Sequence, residues 1–168
     1  MKLSFLKLKT KSSLKRNKTL RTSLPYKQGV SIGVIFSAED KSKHDLIKDF
    51  IKKLELDEKK VRVISFLPKK KENFEFLFDF FSEEDLSFWG NITSPSATSF
   101  VEASFDFLFY LDIQPNPLVL NLIARSKAKC RVGKYADDNK PFFELMIEGV
   151  ENTKGLLDSM YKYTRQLR

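Results

Sequence analysis

A chain of 168 residues with 42% hydrophobic residues is long enough for one globular domain with a substantial core. Its formal net charge is +8: residues 1–28 hold nine basic side chains and no acidic one, whereas the remainder carries 21 Lys and Arg against 22 Asp and Glu. One Cys and one His exclude an intramolecular disulfide and a zinc site of the usual four-ligand type, and they favour a reducing, cytoplasmic location.

Residues 1–28 are predicted to form a basic N-terminal arm, disordered or partly helical, ahead of an α/β domain over residues 29–168. Pro25 and Gly29 mark the boundary. Lys7 and Lys9 interrupt the apolar residues at the start, so no export signal is predicted, and no later segment approaches the ~20 apolar residues of a membrane span. The predicted RNA-binding residues are the nine bases of the arm: Lys2, Lys7, Lys9, Lys11, Lys15, Arg16, Lys18, Arg21 and Lys27.

Hydrophobic periodicity predicts the elements of the domain. Short β-branched or aromatic runs indicate strands, and apolar residues three and four apart indicate helices. In chain order these are a strand Val30–Phe36, a helix His44–Leu54 capped by Ser37 or Asp40, a strand Val61–Leu67, an ambiguous stretch Asn73–Phe81 that favours a strand, a capped turn Ser82–Asp85, a short helix Ser96–Ala103, a strand Phe105–Leu111, a helix after the cap Asn116, a strand Cys130–Val132, a strand Phe142–Ile147 and a helix Asn152–Leu167.

Strands alternate with helices at least four times along this chain. That alternation predicts a single Rossmann-like three-layer α/β domain with a mostly parallel sheet and right-handed crossovers. In such a sheet, ligands bind beyond the carboxyl ends of the strands. The predicted strand-end pocket holds Glu39, Asp40 and Asp112. These carboxylates have two interpretations: they converge and serve Mg²⁺ binding or acid–base chemistry, or they are solvated, with Glu39 and Asp40 stabilised by the dipole at the start of a helix.

Nucleotide binding is not predicted at this pocket. The turn Ser37–Asp40 has no glycine to bring backbone N–H groups close to a pyrophosphate, and its two carboxylates repel phosphate. The sequence contains neither a phosphate-binding P-loop nor a G-x-S-x-G nucleophile elbow. No catalytic residue, cofactor or metal is therefore predicted.

Three further features have a structural and a functional interpretation. Lys69–Lys71 forms either a solvated turn or an extension of the positive surface of the arm. Cys130 is predicted to be a small buried side chain rather than a nucleophile. Trp89 is predicted to pack in the core or at its rim, with a stacking platform for a nucleic-acid base as the alternative.

Two families share short motifs with the chain. The basic start, Ser31-Ile32-Gly33, Phe88-Trp89-Gly90, Phe105-Asp106 and Ser126-Lys127-Ala128-Lys129 before Val132-Gly133 resemble a small uncharacterised bacterial family known only as a domain of unknown function. Separately, the strand–helix–strand segment Phe105–Gly133 is similar to the N-terminal half of heptosyltransferase-type glycosyltransferases. The first resemblance implies no reaction, and the second implies a shared fold.

The arm carries the functional prediction. A concentrated, uncompensated positive charge acts on polyanions. We expect a non-enzymatic binding module that associates with RNA or the ribosome through the arm. The alternatives are a glycosyltransferase-like half-domain, active or remnant, and a peripheral membrane or protein-assembly factor that places Leu3, Phe5, Leu6 and Leu8 on an anionic membrane surface.

Overall fold

The computed structural model describes residues 1–68 and 78–168. The α-helices among these residues are α1 (Lys2–Arg16), α2 (Lys41–Leu56), α3 (Pro95–Glu102), α4 (Pro117–Arg125) and α5 (Thr153–Thr164). The strands are β1 (Ser31–Ser37), β2 (Lys60–Phe66), β3 (Asp79–Phe81), β4 (Phe107–Tyr110), β5 (Cys130–Lys134) and β6 (Leu145–Ile147). No helix in the described ranges is long and apolar enough to cross a membrane.

The six strands form one sheet in the order β3-β2-β1-β4-β5-β6, and every neighbouring pair is parallel. The predicted Rossmann-like three-layer fold is confirmed. The direction in which strands are added reverses between β1 and β4, and in folds of this type the crevice beyond the carboxyl ends of those two strands is the usual ligand site.

Both faces of the sheet are buried because side chains alternate along its central strands. Ile32, Val34 and Phe36 of β1 pack in a core with α2 and α5. Ile35 points to the other face, where a second core includes side chains of α1, α3 and α4. Gly33 lies on that face directly under the ring of Phe105, where a Cβ would come within 2.6 Å of a ring carbon.

The basic N-terminal segment lies against the domain. Its helical part, α1, packs along α4, and the side chain of Leu6 is fully buried in the core with α3 and α4. The Thr10 hydroxyl accepts a hydrogen bond of 2.9 Å from the amide of Asn121, a buried α4 side chain. Beyond α1, Tyr26 is 6% exposed and packs in the opposite core. The segment is therefore held to the domain on both sides of the sheet.

Several predicted boundaries are confirmed by capping interactions. Asp40 caps α2 by accepting a hydrogen bond from the backbone N–H of Lys43, and Asn116 caps α4, which has Pro117 in its first turn. Ser82 and Asp85 form a capping box. The strand predicted at Phe142–Ile147 is shorter than expected, because Asp137–Phe142 forms a 3₁₀ turn and β6 begins only at Leu145.

The strand predicted over Asn73–Phe81 is described only at its end, where β3 pairs with β2. Its earlier part and the Lys69–Lys71 cluster lie outside the described residues.

Candidate functional site

Eight of the nine basic side chains in residues 1–28 are exposed. Seven of them, from Lys2 to Lys18, lie on α1 or in the turn that follows it. Lys27 is separated from these seven, because it follows Tyr26, which packs on the other face of the sheet. The structure thus gathers most of the predicted RNA-binding residues on one helix, whose position is fixed by Leu6.

Arg21 has an internal role instead. Its guanidinium donates to the backbone carbonyls of Ser126 (2.7 Å), Ala128 (2.5 Å) and Ala124 (3.2 Å), at the end of α4 and in the loop beyond it. Burial and the nearby Arg131 lower the pKa of Arg21, and Glu144 offsets part of this shift. Two of its nitrogens thus tie the N-terminal segment to the end of α4, so Arg21, unlike the eight exposed bases, is used inside the fold.

A polar groove of about 280 Å³ lies between α1, α4 and the residues 90–92. Three cationic side chains line it: Lys9 and Arg16 from α1, and Arg125 from the last turn of α4. Hydroxyl and amide groups complete the lining at Ser12, Ser13, Asn91 and Asn121. No carboxylate among the described residues lines the groove. These groups together suit an anion with several oxygen acceptors.

In both guanidinium groups of the groove, most N–H donors make no hydrogen bond within the described part of the chain. Within the described chain, Arg16 donates to Ser13 Oγ at 3.3 Å and Arg125 to Asn121 Oδ1 at 3.4 Å, and no other protein acceptor binds either group. The pKa of Arg125 is lowered, mainly by burial and further by the like charge of Arg16, while Glu102 offsets part of this shift. An anion between Arg16 and Arg125 would relieve that repulsion.

An exposed aromatic pair stands next to the groove. Phe88 and Trp89, in the turn that joins Leu86 to Ile92, are 51% and 62% exposed, and their rings meet edge-on with centroids 5.1 Å apart. Phe5 of α1 lies behind Trp89 at a centroid distance of 5.6 Å. Trp89 therefore lies at the rim of the fold, in contact with the basic helix. The sequence alone did not predict this contact.

The strand-end cleft, about 690 Å³, lies where the sheet topology predicts it. Asp112 is 4% exposed, and its carboxylate accepts hydrogen bonds from the backbone N–H of Ser37 (2.9 and 3.0 Å). Lys43, only 5% exposed, donates to Asp112 (2.7 Å), to Glu39 (2.6 Å) and to the carbonyl of Ser37 (2.8 Å). Sequence reasoning missed Lys43, although it follows Glu39 by one helical turn.

Of the three residues predicted at this cleft, the structure brings Glu39 and Asp112 together around Lys43. Asp40 instead caps α2 through its side chain. Glu83 and Glu151 also line the cleft, so the charged side chains of its lining, among the described residues, are all acidic. In the described ranges, no three His, Cys, Asp or Glu side chains are grouped so as to hold a metal ion. The buried Lys43–Asp112 pair joins the ends of β1 and β4 to α2.

The sequence matches no curated protein and no solved structure. The similarity to heptosyltransferase-type glycosyltransferases, expected from residues 105–133, is thus not shown by these comparisons. A family model does match, over residues 2–167, which includes the basic helix as well as the sheet. The chain therefore belongs to a family of unknown function, DUF6913.

Proposed function

We propose that this protein is a non-enzymatic RNA-binding module that contacts RNA phosphates through its basic N-terminal helix. The observation that carries the proposal is the groove between α1 and α4, where Lys9, Arg16 and Arg125 converge without a lining carboxylate. Arg125 belongs to the domain, so the binding surface is shared between the helix and the domain rather than confined to a tail.

Anchoring of α1 favours binding. A disordered basic tail must be ordered when it binds, at a cost in free energy, whereas α1 already has its position. Two of the three groove cations are arginines, whose planar guanidinium can donate two parallel hydrogen bonds to one phosphate. Ribosomal RNA in the cytoplasm is the target that we propose, because it offers dense phosphate to a small basic protein.

The alternatives predicted from the sequence receive less support from the geometry. A membrane contact through Leu3, Phe5, Leu6 and Leu8 would need all four side chains, but Leu6 is fully buried and Phe5 is half-buried against Phe88 and Trp89. A glycosyltransferase-like activity would use the carboxylates of the strand-end cleft, but Asp112 and Glu39 are both ion-paired with Lys43.

Point substitutions test the proposal better than removal of residues 1–28, because a deletion would also remove Leu6 from the core. The triple variant Lys9→Gln, Arg16→Gln, Arg125→Gln removes three positive charges from the groove. Its matched control removes three charges from exposed positions on α2 and at the start of β2: Lys41→Gln, Lys52→Gln, Lys60→Gln. Fluorescence anisotropy with a labelled oligouridine gives the dissociation constants.

We expect the groove variant to bind RNA at least about tenfold more weakly than the control variant, a loss of only ~1.4 kcal/mol for three contacts. Circular dichroism melts show whether both variants remain folded. Equal affinities for the two variants would contradict a groove-centred interface. Binding of anionic vesicles in place of RNA would favour the membrane alternative.

A further inference from the structure

Phe88 and Trp89 present two large aromatic side chains to solvent side by side. Single exposed apolar residues are common on protein surfaces, but adjacent exposed aromatic rings in one short turn suggest a binding surface. They lie at the rim, outside the buried cores: Trp89 is 62% exposed and Phe88 is 51% exposed.

The turn that carries the pair is fixed firmly to the basic helix. Gly90 has a φ of +76°, in the left-handed region that favours glycine, and a Cβ at this position would come within 2.5 Å of the backbone nitrogen of Leu6. The turn also closes on itself, since the Gly90 N–H donates to the Ser87 carbonyl at 3.0 Å. The backbone beside Trp89 therefore touches α1 directly.

Positive charge flanks the pair on both sides. Lys2 Nζ donates to the carbonyl of Leu86 before the turn at 3.4 Å, and Lys9 Nζ donates to the side chain of Asn91 after it. Gly90 and Asn91 also line the groove that contains Arg16 and Arg125. An aromatic surface and an anion-binding groove thus share one edge.

We propose that Phe88 and Trp89 form a stacking platform for unpaired bases, so that the RNA bound by this protein is single-stranded. This inference rests on the proposed RNA-binding function and specifies its ligand. Bases of a single strand can stack on a protein aromatic ring while the adjoining phosphates contact cationic side chains. In a duplex the bases are already stacked and paired, so Trp89 would have nothing to stack on.

The occupant follows from the combination of flat aromatic rings and surrounding charge. An apolar protein partner would bury the rings but leave Lys2, Lys9 and Arg16 without counter-charges. A single-stranded polyanion provides both a π-face for the rings and phosphates for the cations. The exposed aromatic pair and the acid-free groove are therefore explained by one ligand.

Trp89 is the only tryptophan of the chain, so tryptophan fluorescence, excited at wavelengths that tyrosine does not absorb, reports on this platform alone. Full-length protein is titrated with unlabelled oligouridine and, separately, with a blunt RNA duplex of equal length. We expect saturable quenching of Trp89 by the single strand and little change with the duplex. Anisotropy of labelled versions of both RNAs measures binding independently of stacking.

The variant Trp89→Leu should weaken binding of the single strand by about five- to a hundredfold, the range for loss of one stacked base, and leave duplex binding unchanged. Trp89→Phe should restore part of the affinity because it keeps an aromatic face. The matched control is Leu56→Ala at a side chain that is 83% exposed on α2, which packs on the opposite face of the sheet from α1, and it should have no effect.

The outcomes separate this inference from the proposed function. Tight binding of single-stranded RNA with unchanged Trp89 fluorescence and unchanged affinity of Trp89→Leu would overturn the platform and leave phosphate binding intact. Absence of binding to either RNA would overturn both proposals. Quenching by anionic vesicles but by neither RNA would also overturn both and would assign the aromatic pair to a membrane surface.

Discussion

Substitution of Leu6 by alanine should destabilise the whole domain if α1 is part of its fold. Leu6 is fully buried in the core that α1 shares with α3 and α4, and Gly90 packs against the backbone of Leu6. Leu6→Ala removes three carbon atoms, worth ~0.8 kcal/mol each in transfer free energy. The rigid contact at Gly90 limits collapse of the cavity, which adds to the cost, so we expect a loss of about 3 kcal/mol.

Urea denaturation followed by circular dichroism measures this loss, and a thermal melt should show a decrease of about 6–12 °C in Tm. Leu8→Ala is the matched control, since Leu8 lies on the same helix but is 64% exposed. Its stability should change by less than about 0.5 kcal/mol. Similar, small effects of the two substitutions would refute the packing of α1 and with it the shared binding surface.

Two further predictions concern buried polar groups. Asp112→Asn should lower the free energy of unfolding, measured by urea denaturation, by about 3 kcal/mol, because it leaves the buried ammonium of Lys43 without its buried partner. Glu39→Gln changes a carboxylate that is 62% exposed and should lower it by less than about 1 kcal/mol. Equal losses for the two variants would contradict the role of the buried pair. Burial raises the pKa of the Cys130 thiol to about 11 from 9.0. Because the unfolded chain then loses this proton first, the stability of the wild-type protein relative to Cys130→Ala should fall as the pH rises from 9 to 11, and a flat difference would contradict this pKa shift.

The fold was largely predictable from the sequence because its strongest signals are local. The run Val30–Phe36 alternates buried side chains between two cores, and Asn116 with Pro117 specifies the start of α4. The strand predicted at Phe142–Ile147 was too long at its start, because Phe142 is the last residue of a 3₁₀ turn and β6 begins only at Leu145. Side-chain hydrophobicity alone cannot show that Phe142 belongs to the turn rather than to the strand.

The candidate site was predictable only in part. A count of charges identifies the basic helix, but it cannot show that Arg21 binds carbonyl groups of the domain rather than an external anion. Nor can it show that Arg125 joins Lys9 and Arg16, because that grouping depends on the packing of α1 against α4. Contacts between residues more than a hundred positions apart have no local sequence signal.

The salt dependence of RNA binding tests the central claim most directly. Each phosphate contact to a single strand contributes about 0.7 to the slope of log K against log salt concentration, so loss of three contacts should make the slope shallower by about 2. We therefore expect the variant Lys9→Gln, Arg16→Gln, Arg125→Gln to show that decrease between about 50 and 200 mM salt. The control variant Lys41→Gln, Lys52→Gln, Lys60→Gln should have the same slope as the wild type. Identical slopes for all three proteins would contradict phosphate binding in the groove between α1 and α4.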